Sequence, residues 1–141
     1  MRINTRFPVA VHMLALIELN KTQPSTSELM ALSVGTNPVV IRQLMSSLKR
    51  AGLIETQNGV PGCHLAKPAA EITLREIYQA VQKKTDAPLF DFHANPNPNC
   101  PIGRNIREAM DAPLRDAQTA MEQTLETYTL KDVADNIARH L

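Results

Sequence analysis

Two groups of side chains in this sequence have the types and spacing for chemistry: a polar series between residues 36 and 50, and a pair of cysteines. The first reads Thr36-Asn37-Pro38-Val39-Val40-Ile41-Arg42-Gln43-Leu44, with Ser46 and Arg50 beyond. Ile41, Leu44, Met45 and Leu48 recur at helical spacing, which predicts one buried stripe. Asn37, Val39, Arg42, Gln43, Ser46 and Arg50 are left on the other side. An arginine so placed can take guanine O6 and N7 with two hydrogen bonds, and a glutamine can do the same with adenine N6 and N7. Thr36 and Ser25 add hydroxyls where helix N–H groups attract phosphate. Arg2 and Arg6 add charge at the chain start.

Cys63 stands beside His64, whose imidazolium would lower a thiol pKa. Cys100 lies just before a long helical stretch, whose N-terminal dipole favours a thiolate. Both are candidates for redox sensing, against the plainer alternative of two ordinary thiols. There is no C-x-x-C and no close pair among His12, His64, His93 and His140, so no zinc site is expected. An iron–sulfur cluster would have to borrow ligands such as His93, Cys63 or His64, and the expected cofactor is none. With no phosphate-cradling glycine loop and no G-x-S-x-G elbow, an enzyme is not expected.

The elements that must position these groups follow from punctuation and periodicity. A first helix is predicted over Arg6–Leu19, with His12 packed among its apolar residues. Ser25-Thr26-Ser27-Glu28 fits a capping box that opens a second helix with Leu29 and Leu32 facing inward. Gly35 suits the tight turn that follows. Asn37 as cap and Pro38 as first residue start a third helix, and Gly52 ends it. Two helices joined by so short a turn form a helix-turn-helix.

Leu53–Gln57, a turn extended over Asn58–Gly62, and a return strand Cys63–Ala66 then make a small hairpin, a wing, with Asn58 and His64 as its DNA contacts. Thr73-Leu74-Arg75-Glu76 is a second capping box and opens a fourth helix. Pro88, Pro96, Pro98 and Pro101 make residues 85–101 an irregular loop. A long helix follows over 102–128, split or kinked near Asp111 by Pro113, and Thr129 caps a last helix to Leu141. The fold class is mainly α with a β-hairpin wing. The expected units are a winged helix-turn-helix over 1–84, a loop over 85–101, and dimerisation helices over 102–141.

The net charge of the 141 residues is only +1. It is unevenly spread: residues 1–67 carry seven Lys/Arg against three Glu, while residues 68–141 carry eight basic against eleven acidic side chains. A basic half joined to an acidic half is expected where one half faces phosphates. No stretch resembles a membrane span or a signal peptide, which points to a cytoplasmic protein.

The order helix, helix-turn-helix, wing, fourth helix and long helix resembles the Rrf2 family of bacterial winged-helix repressors. The resemblance rests on residues 36–44, on Leu48-Lys49-Arg50-Ala51-Gly52-Leu53-Ile54, and on Ile72-Thr73-Leu74-Arg75-Glu76-Ile77. It implies a regulator that binds double-stranded DNA at a palindromic operator as a homodimer joined through its C-terminal helices. The segment Asn95–Gly103 is similar to the branch without a cluster, since cluster-binding members carry three close cysteines where this chain has Cys100 alone. The family wing commonly reads Gly-Gly followed by Tyr or Phe; here it reads Gly62-Cys63-His64. Two other readings stand beside the repressor: a winged-helix protein-interaction module, and a cluster- or ligand-sensing regulator.

Overall fold

A computed structural model describes residues 5–83, 89–90 and 92–141. Its elements are α1 (Arg6–Leu19), α2 (Ser27–Val34), α3 (Pro38–Arg50), β1 (Ile54–Gln57), β2 (Val60–Leu65), a 3-10 turn at Ala69–Glu71, α4 (Leu74–Ala80), α5 (Pro101–Glu126) and α6 (Leu130–Ala138). The two strands pair antiparallel. The architecture is mainly helical, with one hairpin behind the helix-turn-helix.

The core is aliphatic and sits where α1, α2, α3 and the hairpin meet. Met13 and Leu14 of α1, Met30 of α2, Ile41 and Leu48 of α3, Leu53, Ile72 and Ile77 are all buried there. Each such side chain removed from water contributes on the order of 1.5–3 kcal/mol. Asn37 caps α3 as its type predicts, accepting from the Val39 N–H at 2.7 Å. Thr73 and Glu76 form the expected reciprocal cap on α4.

Several local expectations are corrected. Thr26, not Ser25, caps α2, accepting from the Leu29 N–H at 3.1 Å. Ser25 is buried instead, within reach of the Asn20 side-chain amide at 3.3 Å. Met30 and Ala31 face the core, and Leu32 is 81% exposed. The inward stripe of so short a helix is set by which residues meet α1 and α3, and Leu32 lies one step outside it. His12 is exposed, its Nε2 2.9 Å from Ser33 Oγ.

The wing turn is tighter than expected. Gln57 pairs with Val60 across Asn58-Gly59, a bulge follows between Glu55 and Gln57, and the return strand begins at Val60. Gly59 alone of the two turn residues has positive φ, +78°, and with the bulge beside it the strands pair without a longer loop.

The C-terminal third also differs. α5 runs unbroken through Pro113. The ring removes one N–H, and the carbonyl that loses its partner lies on an exposed stretch where water can satisfy it. α6 does not extend the arm. Leu130 and Ala134 are buried, and α6 packs on α1 and the 3-10 turn. Two backbone bonds stitch it in place: Leu130 N–H to Ile72 O at 2.8 Å, and Leu74 N–H to Tyr128 O at 2.9 Å. The last helix thus shares the core of the N-terminal module, rather than grouping with residues 102–128.

Candidate nucleic-acid interface

The helix-turn-helix is closed by local chemistry. α2 ends at Gly35, whose φ of +77° is the left-handed conformation that lets the chain reverse at once into Asn37 and α3. Ile41, Leu44 and Leu48 anchor α3 to the core. Asn37, Val39, Arg42, Gln43, Ser46 and Arg50 are consequently all exposed, and Thr36 is half-buried at the turn.

Among the described residues no group holds the guanidinium of Arg42 or the amide of Gln43, so both are available to a ligand. Ser46 is less free: its hydroxyl donates to Arg42 O at 3.2 Å. Arg50 reaches the Ser47 hydroxyl at 3.5 Å. Asn37 Oδ1 is engaged by its own cap, which leaves its amide NH2 outward. Lys49, next to Arg50, crosses to the wing and donates to Thr56 Oγ1 at 2.8 Å. Sequence reading passed over both residues. Lys49 shares one helical face with Arg42 and Ser46, but nothing in the sequence gave its partner on β1.

Three other expected contacts stand differently. Ser25 is buried and faces the return strand. Its carbonyl accepts from the Cys63 N–H at 3.2 Å, and its hydroxyl is buried and accepts from the Asn20 side-chain amide at 3.3 Å. Arg6 is half-buried, and its Nε donates to Val81 O at 3.1 Å, tying the start of α1 to the end of α4. Arg2 lies outside the described residues. Asn58 is exposed at the wing turn, and His64 is exposed opposite Glu55.

The two cysteines differ sharply. Neighbouring strand residues point to opposite faces, so His64 faces outward while Cys63 faces the core. Burial pushes the Cys63 thiol up, against the expected activation by His64. Its Sγ lies 3.5 Å from Ser25 O. Cys100 is the residue before α5; its side chain makes no cap hydrogen bond, but the nearby backbone N–H groups of Gly103 and then Ile102 favour the thiolate and lower its pKa from the ordinary thiol value. The loop is fastened over this helix start. Asn97 O accepts from the Cys100 N–H at 3.2 Å, and the Arg107 guanidinium sits 5.0 Å from the centre of the Phe92 ring.

α5 carries no buried residue along its 26-residue length. Ile102 is 77% exposed, Met110 is exposed, and Ile106, Leu114, Met121 and Leu125 are only half-covered.

Compared with known proteins, residues 3–136 match the family described as Rrf2, iron-dependent transcriptional regulator. The chain belongs to the Rrf2 family. A Bacillus subtilis (strain 168) relative, YwnA, a candidate HTH-type transcriptional regulator, is 45% identical over 96% of this chain and 98% of its own. A crystal structure of a candidate DNA-binding protein aligns at TM-score 0.73 with 42% identity, over 91% of this chain and 97% of that one. The structure of CymR, the global cysteine regulator of B. subtilis, aligns at TM-score 0.65 over 96% of this chain; at 19% identity it shows the shared fold alone. The chain is therefore a DNA-binding transcriptional regulator and not an enzyme.

Iron, named in the Rrf2 family description, would need a set of closely placed soft donors. Cys100 is the one cysteine of its loop, Cys63 is buried under the wing, and among the described residues no group of three His, Cys, Asp or Glu is placed to hold a metal. This donor set does not fit an iron–sulfur cluster. Among the described residues, no helix is long and apolar enough to cross a membrane.

Proposed function

We propose that this Rrf2 protein is a cytoplasmic homodimeric repressor that reads a palindromic operator through Arg42 and Gln43, needs no metal cofactor, and is tuned by oxidation of Cys100. The observation that carries the reading is the free N-terminal half of α3. Its apolar stripe is anchored through Ile41, Leu44 and Leu48, while Arg42 and Gln43 have no side-chain partner among the described residues. Two such helices related by a twofold axis would enter successive major grooves about 34 Å apart. The twofold partner is a second copy seated on the uncovered apolar side of α5, an isologous contact. In the sensing step a hydroperoxide oxidises the Cys100 thiolate to a sulfenic acid, its O–O bond breaking and the remaining oxygen leaving as water or alcohol.

Selection of bound duplexes from a random pool, with reduced and with peroxide-treated protein, tests the whole reading. An inverted repeat is expected from the reduced protein and weaker recovery from the oxidised one. Arg42→Ala is expected to lose about 1–3 kcal/mol of discrimination at one base pair of each half-site, with unchanged thermal melting. Retained discrimination in that variant removes the assignment of α3 as reader.

A further inference from the structure

A recognition helix in the major groove and a wing reaching the adjacent minor groove must straddle one sugar-phosphate strand, because that strand is what separates the two grooves. In this molecule the space between helix and wing is a groove of about 250 Å³ lined by Arg42, Met45, Ser46, Lys49, Ile54 and Thr56. Its floor is apolar: Ile54 is buried and Met45 half-buried. Its rims are polar and belong to different elements. The Lys49 ammonium spans it, donating to the Thr56 hydroxyl at 2.8 Å.

The wing is otherwise short of positive charge. Residues 57–62 contain no Lys or Arg, and the nearest charged residue on β1, Glu55, is negative. Among the described residues no carboxylate pairs with Lys49. An ammonium has three N–H donors; Thr56 takes one, and two remain for an incoming oxygen anion. A flexible lysine normally loses much side-chain entropy on binding, and the Thr56 hydroxyl removes part of that cost by parking the ammonium in advance.

We propose that Lys49 and Thr56 form a clamp for one backbone phosphate of duplex DNA, supplying from the recognition helix the charge that the wing lacks. The inference deepens the operator-binding reading above and rests on it. The clamp positions the duplex and does not read bases.

Binding of the full-length protein to its selected operator and to a scrambled duplex, at several salt concentrations, tests it. Lys49→Gln is expected to weaken both duplexes by the same factor and to lower the slope of log affinity against log salt by about 1.8, about 0.9 for the counterion released by each of the two protomers. A fourfold salt dilution then strengthens binding of the dimer about 12-fold less than in the parent. Thr56→Val keeps the charge and its shape. It should leave that slope intact while weakening binding, and should add nothing on top of Lys49→Gln. An unchanged slope in Lys49→Gln, with melting preserved, overturns the clamp. So does a loss confined to the operator, because that would make Lys49 a base reader. Failure of the parent protein to bind any duplex instead overturns the operator reading itself.

Discussion

At the scale of single residues, the two thiols show how position in an element decides reactivity. Cys63 and His64 are adjacent in sequence yet point to opposite faces of β2, so the imidazole cannot activate the thiol and burial raises its pKa instead. Cys100 lies beside the backbone N–H groups of Gly103 and Ile102 in the first turn of α5, which favour the thiolate, and its pKa is lowered. Iodoacetamide alkylation followed by peptide mass spectrometry should find Cys100 labelled first. Its rate should reach half-maximum below the ordinary thiol value of about pH 8.5. Cys63 should stay unlabelled until the protein is unfolded.

The signs of the stability dependence are opposite. Cys63, raised in the folded state, favours folding at full strength below the unfolded thiol pKa, and that contribution is lost as pH rises through the folded pKa. Cys100, lowered in the folded state, favours folding above the unfolded thiol pKa, and that contribution is lost as pH falls through the folded pKa. Urea midpoints of Cys63→Ala and Cys100→Ser variants measured between about pH 7 and 10 separate the two. The first should flatten the alkaline decline, and the second should not.

At the scale of elements, the wing is set by what it leans on. Gly62 has a φ of +86°, and a Cβ there would fall 2.8 Å from Ser25 N and 3.1 Å from Pro24 Cβ. Gly59, at the turn, has a similar φ of +78° but open space around it. Gly59→Ala should therefore cost only the left-handed backbone penalty, about 1–2 kcal/mol. Gly62→Ala adds a clash with backbone and should cost clearly more, as chemical denaturation would show. It should also displace the wing and weaken operator binding. The caps on α3 and α4 were legible in the sequence because each is decided by a few neighbouring residues, and so was the hairpin, although its turn is shorter than the sequence suggests. The cap on α2 and the exposure of Leu32 were not, because the loop from Asn20 to Ser25 is shaped by the return strand. The exposure of Arg42 and Gln43 was legible from the apolar stripe opposite them. The bonds of Arg6 to Val81 O and of Lys49 to Thr56 join residues far apart in sequence, and no local pattern announces them.

At the scale of the whole molecule, α5 is the element with the least support from its own chain. At 1.5 Å per residue its 26 residues extend about 39 Å, and its apolar side chains are at best half-covered. Sedimentation should show a dimer for the parent protein. Met110→Glu, a charge placed on that side, should shift the equilibrium toward monomer and lower operator affinity, with the helical circular dichroism largely kept. An unaltered sedimentation profile would place the twofold contact elsewhere. The far end of the chain has a different standing. Because Leu130 fills the same core as Met13 and Ile72, the C-terminal dozen residues complete the head that grips the operator. Deleting residues 130–141 would open a leucine-sized hole under α1. The regulator would then fail by unfolding at its DNA-binding end, although the missing segment lies about 80 residues beyond the recognition helix in sequence.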